Sequence, residues 1–149
     1  MSSQVPGKAI RNNIYGIRVD RAAGNLAQTG NLTLFNVTGR VILTGLVGEV
    51  TTVVQSQADA IKLQTVSTTG TITTDLCATV DVNAAAVGNL FGFTTAGTAA
   101  VIGSSVPQPN ETIIQTGVIR MNAAASNSGQ MKFTLTYIPL DDGSSVTAA

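Results

Sequence analysis

Side chains able to carry covalent or acid–base chemistry are few in this chain of 149 residues: eight Asp and Glu, one Cys and no His. Without His, every His-dependent triad and every His metal site lacks its members. Cys77 is alone, so it can build neither an internal disulfide nor a thiolate zinc cluster. Alternation puts it on the more polar face of its strand, with no cation close in sequence to depress its pKa, and it reads as a small strand filler. Asp75 and Asp81 fall on one strand face, but six residues at strand rise is roughly 20 Å, too far for both to act on one bond. Asp141-Asp142-Gly143 offers a pair of carboxylates. Calcium takes about six to eight oxygens, and no loop here supplies such a series. A solvated turn explains that tripeptide better, with both Asp residues free to meet backbone or cations at a subunit contact. Gly39, Gly45 and Gly48 match no dinucleotide fingerprint, and no glycine loop runs into Lys-Ser or Lys-Thr. The expectation is a protein that is not an enzyme and uses no cofactor and no metal.

The sparse charge suits a binding surface and equally a neutral, Thr-rich β surface that binds nothing. Charged residues make up 11% of the chain, eight cations against eight anions, where about a quarter is usual. Thr, Asn, Ser, Gln and Gly carry the polarity, so a subunit contact would desolvate few charges. The charges are also segregated. Residues 1–29 hold Lys8, Arg11, Arg18 and Arg21 against Asp20 alone, net +3, and residues 30–149 hold four cations against seven anions, net −3. A basic arm that reaches an acidic neighbour is one reading of 1–29, and an ordinary first strand over Asn13-Ile14-Tyr15-Gly16-Ile17-Arg18-Val19 is the other. With no net positive charge and no interleaved aromatics, no nucleic acid is expected as a partner. No run approaches the ~18 apolar residues of a membrane span, so no membrane is expected either. The first residues lack the apolar stretch of a signal peptide, which suggests synthesis in a cytoplasm. Three glycosylation sequons, at Asn31, Asn36 and Asn110, read as coincidence in a chain so rich in Thr and Asn.

The elements that must position these residues are strands. Leu32-Thr33-Leu34-Phe35-Asn36-Val37 and Arg40-Val41-Ile42-Leu43-Thr44 are β-branched runs flanked by Gly. Gly45 and Gly48, in the stretch that follows, mark bulges, bends or close backbone approach. Ile61, Leu63 and Thr65 alternate with Lys62 and Gln64. Residues 74–82 show a long alternation, with Leu76, Ala78, Val80 and Val82 opposite Asp75, Cys77, Thr79 and Asp81. Residues 83–105 read as short strands or an extended loop anchored by Leu90, Phe91 and Phe93, and Pro107 and Pro109 break the chain. Ile119 and Met121 point inward from the next strand, and Phe133, Leu135 and Tyr137 from the last. No segment offers a sustained helical stripe. Tyr15, Phe91 and Phe93 are expected in the core. The count, seven to nine strands at spacings of 8–14 residues, suits a single-domain β-sandwich, jelly-roll-like, or a barrel.

Two stretches carry a resemblance. Asn36-Val37-Thr38-Gly39-Arg40-Val41-Ile42-Leu43-Thr44-Gly45-Leu46-Val47-Gly48-Glu49-Val50-Thr51-Thr52 is one. The second is 117–122 with 131–146, closing on Tyr137-Ile138-Pro139-Leu140-Asp141-Asp142-Gly143. Together they span about a third of the chain and resemble small structural proteins of tailed bacteriophages, capsid decoration (cement) proteins above all. That resemblance implies a virion location on the capsid exterior, the major capsid protein as partner, and self-association as a dimer or trimer over gaps between capsid hexamers. It carries over no functional residue.

The expected organisation is an extended basic N-terminal arm or first strand over 1–29, a β-sandwich over 30–140 and a C-terminal tail over 141–149. Lys8, Arg11, Arg18, Arg21, Asp141 and Asp142 are the candidate subunit contacts. The alternative role is a head-fibre, tail or host-adhesion module that binds host glycan or protein, for which exposed aromatics would be the mark.

Overall fold

The computed structural model describes residues 5–93, 100–106 and 111–149. One helix, α1 (Gly7–Tyr15), precedes twelve strands: β1 (Ile17–Asn25), β2 (Gln28–Thr38), β3 (Val41–Thr52), β4 (Ala60–Ser67), β5 (Thr73–Asp75), β6 (Val80–Asp81), β7 (Leu90–Phe93), β8 (Ala100–Gly103), β9 (Thr112–Ile114), β10 (Gly117–Ser126), β11 (Gln130–Pro139) and β12 (Ser145–Ala148). They form two six-stranded antiparallel sheets. One runs β1-β11-β3-β7-β8, with β9 also on β3, and the other runs β12-β2-β10-β4-β5, with β6 also on β4.

The pairings are nested. β1 pairs β11, β2 pairs β10, β3 pairs β7 and β4 pairs β5. A long antiparallel ribbon with these partners has been rolled over itself, which brings β11 onto β3 and β10 onto β4. This is the strand order of a jelly roll, a sandwich whose two sheets exchange the chain repeatedly. β1 lies against β12 at one side of the sandwich and β6 against β8 at the other.

Alternation determines which side chains meet between the sheets. Leu43, Leu46, Phe133, Leu135 and Tyr137 come from one sheet, and Phe35, Ile61, Leu63, Ile119 and Met121 from the other, all buried. Phe91 and Phe93 are buried as expected. At Gly48 a Cβ would lie 2.8 Å from the Phe133 ring and 2.9 Å from the Met131 methyl, so the missing side chain makes room for two large neighbours. Asp59 is buried beside the core and serves as a polar tie. Its Oδ1 accepts from the Ala125 amide, its own amide donates to Asp81 Oδ1, and its carbonyl accepts from Val82.

Four expectations are corrected. A helix occupies 7–15, where no helix was expected, and the strand read over 13–19 begins only at Ile17. Pro6 stands just before the first turn, and Gly16, at φ 86°, ends it. Both residues sit where helix termini favour them. The alternation over 74–82 breaks into β5 and β6. Leu76 and Cys77 are consecutive and both buried, so Cys77 is not on a polar face. The Leu76 amide donates to the Leu63 carbonyl and the Leu63 amide to Cys77 Sγ, and this two-way stitch to β4 overrides strict alternation. Tyr15 is 52% exposed, outside the core. The C-terminal residues are not a frayed tail, because β12 pairs with β2 along its edge. Pro107 and Pro109 lie outside the described residues.

Candidate subunit-binding surface

α1 turns its polar side to the sandwich and its apolar side to solvent. Lys8, Arg11, Asn12 and Tyr15 recur at the helical spacing that makes one side. With Ile17, Arg18 and Thr136 they line a cavity of about 320 Å³ between the helix and the start of β1. Ile10 and Ile14, four residues apart on another side, are 45% and 60% exposed, and no residue of α1 is buried. An ordinary surface helix buries its apolar stripe. Here the stripe has no partner within the described chain.

The end of the helix is fixed. Thr44 Oγ1 donates to the Tyr15 carbonyl, and Thr136 Oγ1 lies 3.0 Å from Thr44 Oγ1. A Cβ on Gly16 would sit 2.1 Å from the Tyr137 carbonyl oxygen, so only glycine lets the chain turn from helix into β1 this close to β11. Tyr15 then separates the basic cavity from a second one, about 230 Å³, over Thr44, Gly45, Val47, Thr134 and Thr136.

No acidic side chain lines the basic cavity. Arg18 is partly engaged, with Nη2 2.9 Å from Asp20 Oδ1. Thr134 also donates to Asp20, at 2.7 Å. That hydroxyl, more than Arg18, holds the Asp20 carboxyl below its ordinary pKa, against an opposing effect of burial second only to the Thr134 bond. Among the described residues Lys8 and Arg11 have no ion-pair partner. The cavity can therefore receive a carboxylate or another anion, with two free cations and one shared.

The other candidate residues are placed apart. Arg21 is half-buried on the inner side of β1 with Val19, and its Nε is buried without a partner. A charge pointing inward from an edge strand, next to the register shift between Arg21 and Gly24, is a device that blocks addition of another strand. Asp141 is occupied within the chain by Arg40, whose Nη2 lies 2.6 Å from Oδ1. Asp142 is exposed on the turn between β11 and β12, following Leu140, 42% exposed, and Ile138, 36% exposed. The structure thus brings Lys8, Arg11 and Arg18 together and leaves Arg21, Asp141 and Asp142 elsewhere. Sequence reasoning missed Ile10, Asn12, Ile14, Tyr15 and Thr136. The first four had a signal: two interleaved helical spacings between Pro6 and Gly16. Thr136 had none, because it reaches the cavity only through pairing of β11 with β1.

Two further acids have structural occupations. Asp75 accepts from Lys62 at 2.8 Å and Gln64 at 2.7 Å, and Asp81 Oδ1 accepts from the amides of Asp59 and Asn83. Among the described residues no group of three or more Cys, Asp or Glu is placed to hold a metal ion. Comparison with protein families, with curated proteins and with solved structures finds no match to the chain.

Proposed function

We propose that the chain is a non-enzymatic structural subunit of a tailed-phage virion, a decoration protein that binds the major capsid protein on the outside of the head and stabilises the shell as a homo-oligomer. The single observation that carries this reading is α1, held outside the sandwich with exposed isoleucines on one side and unpaired cations on the other. Apolar area flanked by positive charge is what a protein partner with an acidic rim would cover. The phage-like stretches at 36–52 and at 117–122 with 131–146 supply the class of partner. Jelly rolls occur among viral capsid proteins, lectins and cupins alike, so the fold is compatible with the reading and does not select it. A decoration protein contacts several shell subunits at once, and weak single contacts then multiply through avidity.

The test is co-sedimentation of the purified protein with undecorated heads of the phage that encodes it. Saturable binding that is lost when residues 1–16 are removed supports the proposal, and absence of binding sinks it. Exposure of Tyr15 favours a second reading, a host-adhesion module, since an exposed aromatic is the usual platform for a glycan. Binding to host cells without binding to heads would select that reading.

A further inference from the structure

Two patches on this fold carry free charges of opposite sign beside exposed apolar residues. The unpaired cations Lys8 and Arg11 lie at the cavity beneath α1, beside the exposed Ile10 and Ile14. The turn between β11 and β12 carries the opposite set: exposed Asp142, with exposed Leu140 and Ile138 just before it. Each patch combines apolar area with charge, and the signs are complementary. Neither is satisfied internally among the described residues, since Asp141 has taken Arg40 and Asp20 has taken Arg18.

We propose that the cavity lined by Lys8, Arg11 and Arg18 receives the Asp142 turn of a second copy of this chain. This deepens the subunit-binding reading and rests on it. Asp142 would place its carboxylate between Lys8 and Arg11 on the sandwich side of α1, which leaves Ile10 and Ile14 on its solvent side for the capsid protein. The two patches are different parts of one surface, so the contact is heterologous, and it closes into a ring when the rotation permits. It also explains the +3 and −3 segregation of the sequence, since each copy presents a basic socket and an acidic plug. At the β1 edge, next to this cavity, strand-to-strand pairing is blocked by the inward Arg21 and a register shift.

The experiment is light scattering on the purified full chain at low and high salt, with charge-reversal variants and a melting curve for each. The expected result is an oligomer that dissociates as salt rises. Lys8→Glu with Arg11→Glu, or Asp142→Lys alone, weakens association about tenfold or more at low salt. Combining the two sets restores association, and the melting curve shows that each variant is folded. A monomeric wild type at 100 µM, or an oligomer indifferent to all these reversals, would overturn the proposal. Wild-type binding to phage heads in the same preparation separates this failure from failure of the decoration reading: a monomer that still coats heads loses only the homotypic contact.

Discussion

Arg40 and Asp141 are 101 residues apart in sequence and closed onto each other in the fold. The Arg40 amide donates to Asp141 Oδ2 at 3.0 Å, its Nε donates to the same oxygen at 3.0 Å, and Nη2 reaches Oδ1 at 2.6 Å. In return the Leu140 amide donates to the Arg40 carbonyl. This clasp joins the turn between β2 and β3 to the turn that leads into β12, so it orients the edge strand and leaves the next residue, Asp142, free.

The clasp predicts an acid sensitivity with a definite sign. Hydrogen bonds from Arg40 hold the Asp141 carboxyl below its ordinary value, and those from Lys62 and then Gln64 do the same for Asp75. The folded state therefore binds fewer protons than the unfolded state near those values. Their contribution is complete above the unfolded value of about 3.9 and is lost as pH falls through the lowered folded value. With no His in the chain, the melting temperature is expected to be flat from about pH 5.5 to 8 and to drop below about pH 4. Asp141→Asn should flatten part of that drop and speed amide exchange of Thr147 and Ala149, the β12 amides directed at β2, read by hydrogen exchange.

Gly16 is expected to control whether the basic cavity exists. In Gly16→Val, a Cβ meets the Tyr137 carbonyl, so α1 must lift from β11. Backbone strain of this kind costs about 1–3 kcal/mol, which converts to about tenfold or more in the population of detached helix. Trypsin cleavage at Lys8 and Arg11 should accelerate by that factor while the sandwich keeps its melting temperature.

At Arg21 two readouts should move in opposite directions. Arg21→Leu removes a buried Nε that has no partner and adds apolar packing beside Phe133, its cross-strand neighbour. The urea midpoint should rise by about 1 kcal/mol of stability. The edge also loses its inward charge, and concentration-dependent scattering should increase.

Asp59 is the polar tie whose loss should be felt most. Asp59→Ala removes the buried acceptor of the half-buried Ala125 amide. A cost of about 1–3 kcal/mol is expected from urea unfolding, with no change in light scattering, because Asp59 is far from the proposed contact on α1.

Much of the sandwich was readable from period two. Lys62 and Gln64 opposite Ile61 and Leu63, and Lys132 and Thr134 between Phe133 and Leu135, mark one buried face on β4 and on β11. The alternation failed at Cys77, where hydrogen bonding with Leu63 turned the chain. The helix was missed for a different reason. Its apolar stripe, Ile10 and Ile14, stays exposed among the described residues, so it does not resemble the core-facing pattern by which helices are recognised. Clustering of Lys8, Arg11 and Arg18 could be sensed as a charge run but not as a cavity. Arg21, from the same run, points the other way, and only strand pairing fixes that.

A jelly roll that covers other protein subunits, as proposed, must make an undecorated phage head harder to disrupt. Thermal disruption of undecorated phage heads, followed with and without saturating purified protein, tests it most directly. The account predicts a disruption temperature several degrees higher in its presence, with the gain lost for the double variant Ile10→Asp and Ile14→Asp. An unchanged disruption temperature at saturating protein would contradict it.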